Sequence, residues 1–333
     1  ELLAGLDQVF HLTKHHDLQI RKQIGKSDDL SKLGGSLLTA FSKTFAKINP
    51  DGVLVQGDAA STYYAALAAF HYHLPIFYVE AGLRTYDINQ PFPEEGYRQM
   101  ISRIATLCFV PTSTNRENLV NEGISKAKIH LVGNTVVDAL KKVRSSLTKK
   151  EKQDLLKRDL PSLNKRGLRK LVIVELHRRE NYGRPLKEVL NALITLASMH
   201  PDYLFIFPAH PSRQIYPIVA NYLGKRDGFM VVKPPVYLTF MALLEEAHLV
   251  ITDSGGLQEE APAFGIGVIV VREKTERVEG LASGWSVVAG SDRDKIFSAF
   301  LHFQKWKKPG GENPYGDGKA GERIANIIHE YFS

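Results

Sequence analysis

The sequence predicts an α/β protein made of two Rossmann-like, doubly wound domains that face a cleft. Three observations predict this fold. Short β-rich runs alternate with helical stretches along nearly the whole chain. These runs are continuously apolar, as in parallel strands that are buried on both faces. Polar motifs follow almost every run, where the carboxyl ends of parallel strands place ligand-binding groups.

The predicted strands fall into two sets. The first half contains four, at residues 52–56, 76–79, 107–110 and 129–132. The second half contains five, at residues 171–174, 203–207, 230–232, 249–252 and 267–271. A charged, helix-prone stretch between the sets predicts the junction, so we expect domains at 1–165 and 166–317, with a C-terminal helix at 318–333 joining the first.

Composition excludes several classes of protein. Hydrophobic residues make up 44% and charged residues 24% of the 333 residues, which are globular values. The apolar runs are too short to cross a bilayer, so no membrane partner is expected. The net charge of +7 is spread along the chain without a recognition motif, which argues against a nucleic-acid partner. A single cysteine, Cys108, fits a reducing, cytoplasmic location.

A set of carboxylates follows the strands of the first half. Asp58 and Glu80 come directly after two predicted strands, and Glu94 and Glu95 follow a stiff Pro-Phe-Pro turn. Neighbouring carboxylates raise one another's pKa, which would provide one protonated acid and one ionised base. For Glu94 and Glu95 the alternative is an ordinary first helical turn behind the proline.

The polar motifs of the second half are typical of anion binding. In the segment 253–256, two glycines let a phosphate approach the backbone at a helix N-terminus, with capping by Asp253 or Ser254 as the alternative. We expect either Glu259 or Glu260 to accept hydrogen bonds from a ribose. The run 177–181 offers a titratable histidine beside cations, or else a solvated loop.

Two weaker candidates remain in this half. Arg272 follows a predicted strand and would lie near a nucleotide, although it also fits a surface charge run. Tyr237 and Phe240 could flank a base or pack in the core. No dinucleotide fingerprint, Walker loop or zinc spacing is present in the sequence, so neither a cofactor nor a metal is expected.

Taken together, the motifs resemble those of the non-hydrolysing UDP-N-acetylglucosamine 2-epimerases over essentially the entire chain. The matching stretches are residues 55–58, 79–85, 91–95, 177–181, 252–262, 275–277 and 313–320.

The resemblance implies a glycosyltransferase-B-like pair of domains, a homodimer and no cofactor. It implies interconversion of UDP-GlcNAc and UDP-ManNAc by elimination of UDP and re-addition through 2-acetamidoglucal. On its motifs, Asp58, Glu80, Glu94 and His177 are the expected catalytic residues. The expected substrate-binding residues are Arg84, Arg178, His210, Phe240, Ser254, Gly255, Gly256, Glu260 and Arg272.

The sequence also departs from the family. Members normally open with a strand and a Gly-Thr-Arg-Pro-Glu turn, to which nothing in this chain corresponds. We therefore expect either a fragment or an inactive product. Ala59, Gly267 and Val278 depart from common family residues, predict a divergent paralogue and leave the sugar substituents open. The alternatives are a UDP-sugar glycosyltransferase of the same fold, a hydrolysing 2-epimerase and an inactive paralogue.

Overall fold

The computed structural model describes residues 9–11, 13, 16–20, 22, 25, 29–178, 181–209, 215–310 and 313–333. It confirms the predicted α/β class, with two parallel sheets flanked by helices. Two compact units are present: one contains the described residues of 13–138 and 315–333, and the other contains the described residues of 139–314 together with residues 9–11. Among the described residues, no helix combines the length and apolar character needed to span a membrane.

The elements of the first half surround four strands. In chain order they are α1 (Leu30–Ile48), β1 (Val53–Gln56), α2 (Ala60–His71), β2 (Ile76–Val79), α3 (Glu94–Ile104), β3 (Leu107–Val110), α4 (Ser113–Asn121), β4 (Ile129–Leu131), α5 (Thr135–Ser146) and α6 (Lys149–Asp159). One 3-10 turn, Lys126–Lys128, precedes β4. A second, Pro161–Arg166, precedes the second half of the chain.

The second half continues the alternation of strand and helix. Its elements are β5 (Lys170–Glu175), α7 (Arg184–Met199), β6 (Tyr203–Pro208), α8 (Tyr216–Leu223), β7 (Phe229–Val232), α9 (Tyr237–Glu245), β8 (Ala247–Thr252), α10 (Gly255–Phe264), β9 (Gly267–Val270), α11 (Val278–Ala282), β10 (Ser286–Val288), α12 (Arg293–Gln304) and α13 (Ala320–Phe332).

The first unit contains a four-stranded parallel sheet with the order β1-β2-β3-β4. Tyr78 and Phe109 of its central strands are fully buried, as expected for strands covered on both faces. Helix α13 covers one face, where the rings of Tyr331 and Phe332 lie 5.3 and 5.7 Å from that of Phe77. The C-terminal helix therefore belongs to the core of this unit.

The second unit contains a six-stranded parallel sheet with the order β10-β9-β8-β5-β6-β7. Its core is apolar throughout, with Val172, Leu193, Phe205 and Phe300 all fully buried. Strands β5 and β8 are neighbours although more than 70 residues separate them, and Glu175 lies opposite Thr252 at their carboxyl ends. This crossover brings the loops after β5 and β8 together.

All nine predicted strands are present, with bounds that differ by at most two residues. The short strand β10 was not predicted and is additional. The units divide within α5, whereas the sequence placed the junction near residue 165. Helix α6 packs against α9 of the second unit: Lys152 pairs with Glu245 at 2.8 Å, and Thr239 donates to Asp159. These contacts place the stretch 139–165 with the second sheet.

Replacing Gly82 by alanine should destabilise the protein by about 2 kcal/mol or more. Gly82 has a φ of +86°, and a Cβ atom there would lie 2.3 Å from the backbone oxygen of Asn115. Thermal or urea unfolding measures the effect. Gly35→Ala is the matched control, because Gly35 lies inside α1 with open space around its Cα and should gain about 0.5–1 kcal/mol. Equal effects of the two substitutions would contradict this reading.

Candidate active site

A buried carboxylate connects the loops that follow β5 and β8. Asp253 is fully buried and accepts hydrogen bonds from the backbone N–H groups of His177 and Arg178, at 3.0 and 3.1 Å. The Asn181 amide donates to the same carboxylate at 2.7 Å and to the carbonyl of Val271 at 3.2 Å. Asp253 therefore shapes the loop that carries His177 rather than capping a helix.

Glu175 places a second carboxylate beside His177. Its Oε1 lies 2.6 Å from His177 Nδ1, and its Oε2 accepts the hydroxyl of Thr252 at 3.0 Å. The Thr252 hydroxyl oxygen in turn accepts the backbone N–H of Ser254 at 2.9 Å. The sequence analysis missed Glu175, although a lone acid that ends an otherwise apolar strand is a visible signal.

The charges around His177 favour its protonated form. Burial alone lowers the pKa of His177, but the hydrogen bond that His177 donates to Glu175 and the negative charges of Glu175 and Asp253 outweigh it and raise the pKa. The nearby guanidinium of Arg178 acts against this rise. For Asp253, burial and the repulsion from Glu175 raise the pKa, while its N–H donors oppose the change. The imidazole at this site is thus prepared to donate hydrogen bonds to an anion.

Arg178 has an unused donor in the same loop. Its Nε atom is buried and has no hydrogen-bond partner among the described residues. Because an unpaired buried donor is costly, this nitrogen is suited to an anionic ligand. Arg179 and Glu180, which belong to the same predicted motif, and the predicted substrate-binding residue His210 lie outside the described residues.

The N-terminus of α10 has the features of an anion site. Ser254 occupies the N-cap position but makes no side-chain capping bond, so the capping role considered for it is not observed. The guanidinium of Arg277 lies directly over Gly255, where a Cβ atom would approach its Cζ to 2.9 Å. Gly256 follows within the first turn. The backbone N–H groups and a buried cation therefore meet at one turn.

Arg272, whose role in substrate binding stays a prediction, makes an ion pair within the protein. It is buried and pairs with Glu276 at 3.1 Å, and Glu276 also contacts Arg277. Arg277 also forms an ion pair with Glu259, at 3.0 Å. Two arginines and two glutamates thus form a buried network, and Arg277, not Arg272, is the arginine at the Gly255 turn. The sequence did contain a signal for Arg277, because it lies next to Glu276 in the stretch 275–277, which matches the family motifs.

The same network separates the roles of the two adjacent glutamates of α10. Glu259 pairs with Arg277, whereas no described group donates a hydrogen bond to Glu260. Burial and the charge of Glu175 raise the pKa of Glu260 to about 7. Burial and the charge of Glu260 in turn raise the pKa of Tyr237 on α9. Phe240 is partly buried on the same helix, so its stacking on a base stays a prediction.

The first unit brings Asp58 and Glu80 to neighbouring strand ends. Gln56 and Val79 are register partners in β1 and β2, so the two acids follow adjacent strands. A Cβ atom on Gly57 would lie 3.6 Å from Glu80 Oε2. Glu80 has a φ of +65°, which is uncommon for a residue other than glycine and often marks a functional position.

Arg98 pairs with the Asp58 carboxylate, a contact that the sequence analysis did not identify. Its Nε and Nη2 donate to Asp58 Oδ2 at 2.9 and 2.6 Å, and its side chain is 2% exposed. Glu95 also contacts Arg98, at 3.3 Å. The Asp58 side chain is thus held in place by a buried guanidinium.

The structure distinguishes the two acids after the proline turn. Both begin α3, as the alternative reading expected. Glu95 is fully buried and accepts the backbone N–H groups of Thr85 and Tyr86, at 3.1 and 3.3 Å, and the Gln99 amide at 2.9 Å. Glu94 is partly buried and makes none of these contacts. Glu94 thus remains the candidate for chemistry, while Glu95 fixes the loop.

Arg84 was expected to bind substrate, but its observed contacts are structural. Its side chain is fully buried and pairs with both oxygens of Glu122, at 2.6 and 3.0 Å. Its other nitrogens donate to Ser102 Oγ at 2.9 Å and to the carbonyl of Leu83 at 2.8 Å. Because these hydrogen bonds use its donors, the Arg84 guanidinium stabilises the loop after β2. We therefore do not include Arg84 in the proposed site.

Glu175, His177 and Asp253 are the described residues with the closest resemblance to a metal-binding set. One ligand atom of each lies within 4.8 Å of the others. The hydrogen bonds that they make with one another and with backbone N–H groups already account for this proximity.

Comparison with known proteins gives consistent matches over the chain. A family model described as UDP-N-acetylglucosamine 2-epimerase matches residues 1–329. A UDP-N-acetylglucosamine 2-epimerase from Escherichia coli (strain K12) is 35% identical over 334 residues, covering 98% of this chain and 88% of the relative.

Solved structures match equally well. A Neisseria meningitidis UDP-GlcNAc 2-epimerase bound to UDP-GlcNAc is 31% identical, has a TM-score of 0.92, and is matched over 99% of this chain and 89% of its own. A Methanocaldococcus jannaschii UDP-GlcNAc 2-epimerase in complex with UDP-GlcNAc and UDP is 30% identical, with a TM-score of 0.81 and coverages of 97% and 88%.

Replacing Glu260 by glutamine should stabilise the protein at alkaline pH and leave it nearly unchanged at pH 5. The folded-state pKa of Glu260 is raised from 4.5 to about 7, so its favourable contribution is complete below about pH 4.5 and is lost as the pH rises through about 7. This interval corresponds to about 3 kcal/mol. Urea unfolding at pH 5 and pH 8.5 measures the difference. Asp227→Asn, at a fully exposed side chain, is the control, and an equal gain at both pH values would contradict the raised pKa.

Proposed function

The chain belongs to the UDP-N-acetylglucosamine 2-epimerase family, and from this premise we propose that it interconverts UDP-GlcNAc and UDP-ManNAc by inverting C2 of the sugar. Relatives of the same fold have been solved with UDP-GlcNAc and with UDP bound. The residue that most directly supports a nucleotide sugar in this chain is Gly255, where a helix N-terminus and the Arg277 guanidinium meet.

The second unit supplies groups for the UDP end of the substrate. We assign the pyrophosphate to the Ser254-Gly255-Gly256 turn, with Arg178 and Arg277 as the neighbouring cations. Glu260 has no hydrogen-bond donor among the described residues and a pKa of about 7, so ribose hydroxyls would supply the missing donors. Donors of this kind would favour its ionised form and lower its pKa upon binding.

The proposed reaction is an elimination followed by re-addition. The C2 hydrogen is not adjacent to a carbonyl group, so its direct removal is very costly. When a base removes the C2 proton and the bond from C1 to the UDP oxygen breaks, a C1–C2 double bond forms and 2-acetamidoglucal results. Return of UDP to C1, with protonation of C2 from the opposite face, gives the epimer.

The first unit supplies the proton-transfer groups of this proposal. Asp58, held in place by Arg98, is assigned to proton transfer, and Glu80 lies at the neighbouring strand end. Glu94 would serve the return step. The protonated imidazole of His177 would stabilise the departing phosphate, since charge develops on the leaving oxygen during elimination. The proposed enzyme is non-hydrolysing and works in the cytoplasm as a homodimer, as its family resemblance implies.

Incubation with UDP-GlcNAc in deuterated water tests the reaction. We expect UDP-ManNAc that carries deuterium at C2, because the proton removed from C2 is replaced from solvent on return. Proton NMR and mass spectrometry measure the exchange. Release of free sugar and UDP would indicate a hydrolysing enzyme instead. Absence of exchange, with UDP-GlcNAc still bound, would indicate a glycosyltransferase or an inactive paralogue.

Replacing Asp58 by asparagine should reduce C2 exchange by at least about a hundredfold while UDP affinity changes little, since proton transfer typically contributes about that much. Isothermal titration calorimetry measures UDP binding, and thermal unfolding checks that Arg98 tolerates the lost charge. Asp51→Asn, at an exposed position of the same unit, should retain wild-type exchange. Retained exchange in the Asp58 variant would remove this residue from the catalytic group.

A further inference from the structure

Glu175 has no part in the reaction as described above, yet its carboxylate is in direct contact with the His177 imidazole. Its Oε1 lies 2.6 Å from His177 Nδ1, closer than the 3.5 Å between this nitrogen and Asp253 Oδ1. The position of its carboxylate is fixed from the other side by the Thr252 hydroxyl. Glu175 is a partly buried residue at the last position of β5, so the sheet itself sets the distance to His177.

This contact determines which imidazole nitrogen carries a proton. A carboxylate only accepts hydrogen bonds when it is ionised, so Nδ1 of His177 must be the donor. The other nitrogen, Nε2, makes no hydrogen bond to a described residue, and the side chain is 38% exposed. In the protonated ring Nε2 also carries a hydrogen and can donate it to a ligand.

The groups that face His177 come from three elements. Glu175 ends β5, Asp253 follows β8, and Arg178 lies in the same loop as the histidine. Glu260 of α10 interacts electrostatically with Glu175, whose negative charge raises the pKa of Glu260. Among the described residues that act on the ring, two carboxylates raise the pKa of His177 and one guanidinium lowers it.

We propose that Glu175 is the positioning residue of His177: it fixes Nδ1 as a proton donor and keeps the ring protonated, so that Nε2–H can donate to a departing phosphate oxygen. Glu175 acts through His177 and does not itself touch the substrate. The phosphate part of this inference rests on the proposed function, whereas the coupling of Glu175 to His177 does not.

The coupling is tested on the full chain without substrate. Proton–nitrogen NMR of labelled imidazole follows the titration of His177, assigned by its absence in His177→Asn. We expect the midpoint to fall in Glu175→Gln and to be largely retained in Glu175→Asp, which keeps the charge. Glu188→Gln, an exposed acid paired with Arg184, is the matched control and should leave the midpoint unchanged. An unchanged midpoint in a natively folded Glu175→Gln protein would overturn the proposal.

The catalytic consequence is tested by a double-mutant cycle on C2 exchange. Glu175→Gln should lower kcat about ten- to hundredfold with a smaller effect on KM, and the loss of activity at high pH should begin at a lower pH. In the His177→Asn background the same change should add little, because the residue through which it acts is gone. A full additional loss in that background would show that Glu175 works by another route.

Failure of the proposed function gives a different result. If the wild-type chain shows no C2 exchange, the epimerase proposal fails, but the His177 titration still decides whether Glu175 controls the imidazole. In that case UDP affinity at neutral pH tests the phosphate contact. Glu175→Gln should weaken UDP binding, and equal affinities for wild type and variant would overturn this part of the inference.

Discussion

The second unit depends on one buried interaction, the acceptance of loop N–H groups by the Asp253 carboxylate. A carboxylate without solvent is costly unless several donors satisfy it, and here two backbone N–H groups and the Asn181 amide do so. These bonds join the loop after β5 to the turn before α10. The position of His177 and Arg178 relative to the Ser254-Gly255 turn follows from this connection, since removal of Asp253 would leave both loops without their shared acceptor.

The two units use charge in different ways. In the first, one buried arginine, Arg98, pairs with both Asp58 and Glu95. In the second, the network of Arg272, Glu276, Arg277 and Glu259 balances its own charges, while Glu260 remains without a donor. A group with a pKa near neutrality is sensitive to whatever hydrogen bonds a ligand brings. A buried ion pair and an acid with a raised pKa thus occur side by side in α10.

The arginines whose contacts the sequence analysis did not foresee share one property: each is charged and buried. Arg84 and Arg272 follow strands, where ligand-binding groups are expected, yet both are committed to glutamates within the protein. Arg98 and Arg277 were not chosen, although one holds Asp58 and the other lies at Gly255. Motif position predicts that a charged residue is near a site. It does not reveal whether its partner is a ligand or another side chain, because the partner is distant in sequence.

The sequence by itself determined the class of fold, nearly all strands and the polar motifs at their ends, because apolar runs and strand–turn–helix chemistry are local properties. The family was also readable from motif order alone. Only the tertiary structure decided which of these groups meet. Strand order placed β5 beside β8 and so brought Glu175 and His177 to Thr252 and Asp253. Such pairings depend on packing between distant segments, and no local pattern in the chain encodes them.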